Sequence, residues 1–272
     1  MKTELRYTAP KTLLNKGTGF LSGYSHSLNP YTGCTFGCSY CYVRQMPVSL
    51  FRDADWGQWV DIKRDAAAIV SKQLERAKKK GPVTIFMSSS TDPYQPIEYK
   101  ERITRSILEA MVDQPPDFLL LQTRSPLVVR DIDLLSQLGK SVRVSMTVET
   151  DREDIRKHFT PSAPPIPARL KALKQLNEAN IPAQAAIAPM LPSSEQFAAL
   201  LRPLVRRVCI DDYFMGDGSG GKRTKNLKIQ ALYEELGLEE WYQPGAYKMV
   251  YERMKAIFAE NELFISQKGF EP

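Results

Sequence analysis

Apolar positions in the middle of the chain fall into two alternating rhythms. Short runs read as buried strands: Val83-Thr84-Ile85-Phe86-Met87, Phe118-Leu119-Leu120-Leu121-Gln122-Thr123 and Ser141-Val142-Arg143-Val144-Ser145-Met146. Between them the spacing opens to that of an amphipathic helix. Ile62, Ala66, Ile69, Val70 and Leu74 predict a helix over 62–77, stopped by Gly81-Pro82. Ile103, Ile107, Leu108 and Met111 predict another, ended before Pro115-Pro116. A short helix over 131–138 follows, then one striped by Leu170, Leu173 and Leu176 that gives way at Asn180 and Pro182. A strand over 183–188, a helix over 194–201 and the strand Arg207-Val208-Cys209-Ile210 complete the series. Ahead of it, Tyr24 to Pro30 reads as the first strand.

Short apolar strands that alternate with amphipathic helices imply a parallel sheet with right-handed crossovers. Six such units fit residues 24–214, and the class is α/β. The helices alone suit a doubly wound sheet and a barrel equally. Residues 1–20 show no period and read as an irregular lead-in. Gly216-Asp217-Gly218-Ser219-Gly220-Gly221 marks a flexible joint. Beyond it, helices at about 226–236 and 245–260 are expected to pack on the main unit. The expected organisation is therefore 1–20, 21–215 and 216–272.

Composition changes this picture little. The chain has 272 residues, 43% of them apolar and 25% charged, as in an ordinary soluble globular protein. No apolar run approaches membrane-spanning length, and the first residues lack the apolar core of a secretory signal. A cytoplasmic location, without membrane contact, is the expectation. The net charge is +6, from 37 basic and 31 acidic residues. The excess is unevenly placed: residues 61–80 and 202–228 are both basic-rich, which favours anionic partners. Lys78-Lys79-Lys80 reads as a solvated helix face. Lys222, Arg223, Lys225 and Lys228, just past the glycine-rich joint, are candidates to meet nucleic acid.

Candidate chemistry changes it a great deal. Three of the four cysteines lie within Asn29-Pro30-Tyr31-Thr32-Gly33-Cys34-Thr35-Phe36-Gly37-Cys38-Ser39-Tyr40-Cys41-Tyr42. Gly33 and Gly37 let such a loop curl, so three thiolates can face one region of space. A metal or an iron–sulfur cluster is the simplest occupant. Zinc takes four protein ligands, or three and a water. A cubane cluster takes one ligand per iron, usually four cysteines. Three cysteines would leave one iron open for another ligand. A disulfide with a spare thiol, or a zinc-bearing nucleic-acid-binding module without turnover, are the other readings of the same residues.

The spacing C-x3-C-x2-C, with an aromatic residue before the last cysteine, resembles the radical S-adenosylmethionine (SAM) superfamily. The wider string N-P-Y-T-G-C-x3-C-x-Y-C-Y is similar to its spore photoproduct lyase-like branch, over roughly residues 20–215. The resemblance implies a partial (β/α)6 TIM-like barrel with C-terminal helices. It also implies a [4Fe-4S] cluster on Cys34, Cys38 and Cys41 that reductively cleaves SAM, and an external flavodoxin- or ferredoxin-type electron donor. Strand-end loops carry the chemistry in such barrels. The resemblance accordingly puts Tyr40 beside the adenine, Ser90, Thr91 and Asp92 at the amino group and Arg124 at the carboxylate of SAM. Ser145 is the candidate for a ribose hydroxyl, and Arg169 a further cofactor contact. Tyr42 is the candidate radical relay. The string T-D-P-Y-Q-P-x-E, from Thr91 to Glu98, also matches that branch.

One departure concerns the substrate. The lyase has a hydrogen-donating cysteine where this chain has Ser90. The remaining thiol, Cys209, reads as a small apolar core residue. A nucleic-acid lesion is the first substrate candidate, with a small molecule or a protein as the alternative.

Overall fold

The expected strands form within a residue or two of their bounds. In the computed structural model, which describes residues 3–216 and 218–272, the strands are β1 (Glu4–Thr8), β2 (Asn15–Lys16), β3 (His26–Leu28), β4 (Tyr31–Thr32), β5 (Trp59–Lys63), β6 (Thr84–Met87), β7 (Phe118–Thr123), β8 (Val142–Thr147), β9 (Ala183–Ile187), β10 (Val208–Ile210) and β11 (Leu263–Ile265). The helices are α1 (Pro47–Leu50), α2 (Ala66–Lys78), α3 (Glu98–Glu101), α4 (Ile103–Asp113), α5 (Ile132–Leu138), α6 (Glu153–Phe159), α7 (Ile166–Glu178), α8 (Phe197–Leu201), α9 (Lys222–Asn226), α10 (Ile229–Glu235), α11 (Tyr247–Lys255) and α12 (Gln267–Phe270).

One sheet runs β11-β10-β9-β8-β7-β6-β3-β2. From β3 to β11 every neighbouring pair is parallel; only β2, at the far edge, is antiparallel. The two edge strands do not pair with each other, so the structure is a partial barrel.

Strand alternation divides the apolar residues between two cores. Ile85 and Met87, Leu119 and Leu121, and Val208 and Ile210 face the helices and belong to the large outer core. Phe86, Leu120, Ala186 and Cys209 face inward and meet Tyr24 and Phe270 in a smaller inner core. Both faces are thus buried, as a parallel sheet covered by helices requires.

Three expectations are corrected. The lead-in is not wholly irregular: β1 pairs in parallel with β5, and β2 pairs with β3. The helix expected from residue 62 starts at Ala66, because Trp59, Val60 and Ile62 are buried in a three-stranded sheet with β1 and β4; Ile62 fits either period. The region after the joint is not only helical. It supplies β11 as a seventh parallel strand beside β10, and then α12. Phe270 of α12 enters the barrel from below, 6.2 Å from Phe86 and 6.0 Å from Phe20 between ring centroids. Gln184 Nε2 donates to the Gly269 carbonyl at 3.0 Å, and the Tyr24 hydroxyl donates to that of Phe270. The tail is therefore the floor of the barrel.

Candidate functional site

The cysteine loop leaves β4 at the upper end of the barrel and is held from several sides. Gly33 has φ of +85°, and a Cβ there would lie 2.5 Å from the Trp59 carbonyl oxygen, so only glycine fits. Gln95 spans the loop: Thr35 N donates to its Oε1 at 3.0 Å, and its Nε2 donates to the Gly33 carbonyl at 3.2 Å. Thr91 Oγ1 donates to the same carbonyl at 2.5 Å. Arg44 donates to the Gly37 and Cys38 carbonyls at 2.7 and 2.9 Å. Gln95 and Arg44 had no role in the sequence reading. Gln95 lies within the T-D-P-Y-Q-P-x-E string, which could have drawn attention to it.

Cys34, Cys38 and Cys41 line one cavity of about 560 Å³. Cys34 and Cys38 are buried and Cys41 is partly so. Burial raises all three thiols, with Asp92 adding to the effect at Cys34, and pushes Cys41 up to about 12. Beside Cys38, Arg124 and Arg169 act in the opposite sense. Thiols this buried become thiolates only against a strong positive charge, which is what a metal centre supplies. Among the described residues, no three Cys, His, Asp or Glu side chains converge closely enough to hold a single metal ion. Three cysteines of one loop on one cavity wall are a donor set that a cubane can take at its corners.

The same cavity is lined by Tyr40, Tyr42, Ser90, Thr91, Asp92 and Arg124. Asp92 is buried, and burial raises its carboxyl against three accepted hydrogen bonds. These come from Arg124 N at 2.9 Å, Thr123 Oγ1 at 2.7 Å and Tyr94 N at 2.9 Å. Asp92 therefore ties the loop after β6 to the end of β7. Ser88, at the start of that loop, has φ of +76° and a buried Oγ without a partner. Tyr42 donates its hydroxyl to the Ser89 carbonyl, and Arg223 lies 6.0 Å from its ring centroid.

Arg124 belongs to a charge network centred on Glu149. Glu149 Oε1 accepts from Arg124 Nη1 at 2.5 Å and from the Tyr40 hydroxyl at 2.6 Å. Its Oε2 accepts from Arg169 Nη1 at 2.5 Å. Burial alone would raise the Glu149 carboxyl; Arg124 and Arg169 overcome it and hold it at about 2.

Ser145 and Arg169 do not line the cavity. Ser145 Oγ accepts from Gln184 Nε2 at 3.0 Å, deeper in the barrel, and it is fully buried. Arg169 is also fully buried and donates to the Pro164 and Thr147 carbonyls as well as to Glu149. Cys209 is fully buried in the inner core, its Sγ 3.5 Å from the Ser266 carbonyl. From the region beyond the joint, Arg223 and Thr224 of α9 close one side of the cavity. Lys222, Lys225 and Lys228 are exposed and outside it. Asp217 lies outside the described residues.

Comparison with known proteins agrees with this geometry. The model of the radical SAM superfamily matches residues 28–202. An uncharacterized protein of Methanocaldococcus jannaschii is 33% identical over 172 residues, covering 63% of this chain and 62% of the relative. One of Acidianus two-tailed virus is 32% identical over 187 residues, covering 66% of the chain and 61% of the relative. The chain thus spans about three fifths of the length of these relatives. Among solved structures, a spore photoproduct lyase mutant with bound AdoMet and dinucleoside spore photoproduct aligns at a TM-score of 0.65 and 15% identity, covering 96% of this chain and 81% of that one. Streptococcus suis SuiB bound to S-adenosylmethionine aligns at 0.54 and 14% identity, covering 88% and 46%. No helix among the described residues is long and apolar enough to cross a membrane.

Proposed function

We propose a function from one premise: the chain belongs to the radical SAM superfamily. In this reading it is a radical SAM enzyme in which Cys34, Cys38 and Cys41 hold a [4Fe-4S] cluster and leave one iron for SAM. When bound, the cluster would supply one electron to SAM, whose cleavage would give methionine and a carbon-centred radical able to take hydrogen from a substrate. The observation that carries the reading is the convergence of three cysteines and Arg124 on one cavity at the C-terminal ends of the strands.

The chain's own residues then bind, orient and enclose. Arg124 Nη1 is committed to Glu149 and Tyr40, which fixes the guanidinium plane. Its remaining N–H groups are the donors we assign to the SAM carboxylate. Asp92 supplies the negative charge we assign to the SAM ammonium, while its hydrogen bonds keep the loop after β6 in place. Tyr40, pinned through its hydroxyl, offers a ring face to the adenine. Ser90 and Thr91 line the same approach. Tyr42 is the relay candidate, since it lines the cavity directly after the last cysteine. Ser145 and Arg169 act from behind, Ser145 through Gln184 and Arg169 through Glu149. The floor made by α12 keeps water from entering below.

Nucleic acid is the substrate class we favour. The fold is shared with a lyase whose solved complex holds a dinucleoside lesion, and the region around α9 is basic. An external flavodoxin- or ferredoxin-type donor supplies the electron. The test is anaerobic reconstitution of the wild type and of Cys34→Ala, Cys38→Ala, Cys41→Ala and Cys209→Ala. Iron and sulfide per chain should collapse in the first three and persist in the fourth. Dithionite should drive SAM cleavage by the wild type. Full iron occupancy in Cys38→Ala, or no cleavage of SAM by loaded wild type, would overturn the reading.

A further inference from the structure

A second cavity, of about 340 Å³, lies between β3, α2 and the turn that leads into β6. Its walls include Ser25, His26, Gln73, Arg76, Lys80 and Pro82. His26 is the first residue of β3, and Lys80 to Pro82 precede β6, so the cavity sits at the N-terminal ends of the strands, away from the cysteine loop. Strand alternation gives the direction of the histidine. His26 shares a face of β3 with Leu28, which is buried in the outer core, so both side chains turn toward the helices. The cross-strand partner of His26 is Lys16 of β2, an exposed residue on that same face.

Hydrogen bonds hold the imidazole in one state. Ser25 Oγ donates to the Thr84 carbonyl at 2.9 Å and lies 2.8 Å from His26 Nδ1. The hydroxyl has no second proton to give, so Nδ1 carries the proton and donates to it. The other ring nitrogen, Nε2, has no hydrogen-bond partner among the described residues. Gln73 fixes the adjoining wall: its Oε1 accepts from Leu13 N at 3.0 Å and Leu14 N at 2.9 Å, which pins the segment ahead of β2 onto α2. No carboxylate lines the cavity. Among the described residues, the Arg76 and Lys80 side chains make no hydrogen bond or ion pair. Glu75, beside Arg76, gives its carboxylate to Lys79 at 2.8 Å. Burial lowers the His26 imidazole, and Lys80 lowers it further. Cations are thus gathered around one hollow without a counter-charge, and an anion among them would relieve the repulsion.

We propose that this cavity is an oxyanion site that takes a phosphate group, held by the Arg76 guanidinium, the Lys80 ammonium and His26 Nε2. A guanidinium fork, an ammonium and an imidazolium suit an anion with several acceptor oxygens and more than one charge. The site is separate from the cysteine cavity and does not depend on the radical SAM reading. Its test exploits the scarcity of histidine: the chain has two, and the second, His158 on α6, is exposed. The pH titration of both histidine Cε1 resonances is followed by NMR in reconstituted protein, with and without inorganic phosphate, at equal ionic strength. Phosphate should move the His26 midpoint up by about one pH unit, because a nearby anion favours the imidazolium, and should leave His158 in place. Carrying Arg76→Gln and Lys80→Gln together changes two exposed positions. The phosphate concentration for half the effect should then rise about fivefold or more. No movement of His26, equal movement of both histidines, or a wild-type response in the double variant overturns the proposal. A 5′-phosphorylated oligonucleotide identifies the source of the phosphate. A half-effect at lower concentration than inorganic phosphate assigns the site to a nucleic-acid end; otherwise it belongs to free phosphate.

Discussion

Two buried glutamates hold charge networks of similar make, and they serve different ends. Glu98 is fully buried behind the cysteine loop. Its Oε2 accepts from the Tyr31 hydroxyl and from Thr104 N at 2.9 Å, and its Oε1 from Arg105 N at 3.2 Å and Arg130 Nη2 at 2.6 Å. Arg130 is shared in turn with Asp131 at 2.8 Å. Every partner is internal, and the network ties β4 to the start of α4. Glu149 also takes two tyrosine- or arginine-borne protons on one oxygen and an arginine on the other. One of its arginines, however, forms part of the cavity wall. The carboxylate thus keeps a cation in the cavity wall, whereas the Arg130 that Glu98 holds does not line that cavity. The chemistry of the pairs is alike; whether a partner reaches the cavity separates a brace from a binding group.

Glu98→Ala should break the brace with the largest effect. Removing one partner of a buried pair typically costs about 3–5 kcal/mol, and urea unfolding should register that loss while the folded fraction binds SAM normally. A cost below about 1 kcal/mol would mean that the internal network is dispensable. Arg124→Ala should act the other way round. Glu149 keeps Arg169 and Tyr40, so the stability loss should be smaller than for Glu98→Ala. SAM affinity should fall by more than about tenfold, from a binding cost of about 2–5 kcal/mol. Unchanged SAM affinity by calorimetry would erase the contrast between the two networks.

Acid sharpens the comparison further. Glu149 is held at about 2, down from 4.5. A depressed carboxyl stabilises the fold above its unfolded value and loses that contribution as pH falls through the folded one. Stability should therefore decline between pH 4.5 and about 2, in the chain before cluster loading. Glu149→Gln should be less stable at neutral pH and show a shallower decline over that window. Parallel unfolding curves for the two proteins across it would contradict the role of the carboxylate. The smallest effect belongs to the surface. Changing Lys222, Lys225 and Lys228 to Ser should shift stability by no more than about 0.5 kcal/mol. It should flatten the salt dependence of oligonucleotide binding by roughly 0.7–0.9 log units per lost phosphate contact. Identical slopes would take these lysines out of the nucleic-acid contact.

The strand series and the cysteine loop were legible because each is written locally, in a short apolar run or a fixed spacing. The Glu149 network was not. Tyr40 lies 109 residues from Glu149, and nothing near Glu149 in sequence marks it as a partner of Tyr40 and Arg124. The same holds for Ser145, whose depth depends on Gln184 and the tail. The strand β11 escaped notice because Leu263-Phe264-Ile265 is only three residues long and acquires meaning only beside β10. Asp92 was read for its charge, whereas the structure also shows it fixing two loops through backbone donors.

The barrel floor has a consequence for how the protein is made. Residues 34–41 emerge from the ribosome long before residues 267–270. At roughly 5–20 residues per second, the interval is about ten seconds or more. During it, the inner core lacks Phe270, and Gln184 lacks the Gly269 carbonyl. The nascent chain thus presents its three thiols from a vessel that is open at the bottom. Metal delivery during synthesis would reach a vented site, whereas delivery afterwards would reach a sealed one. A fusion, clip or tag that disturbs residues 267–270 would leave every cysteine in place and still produce a leaky vessel.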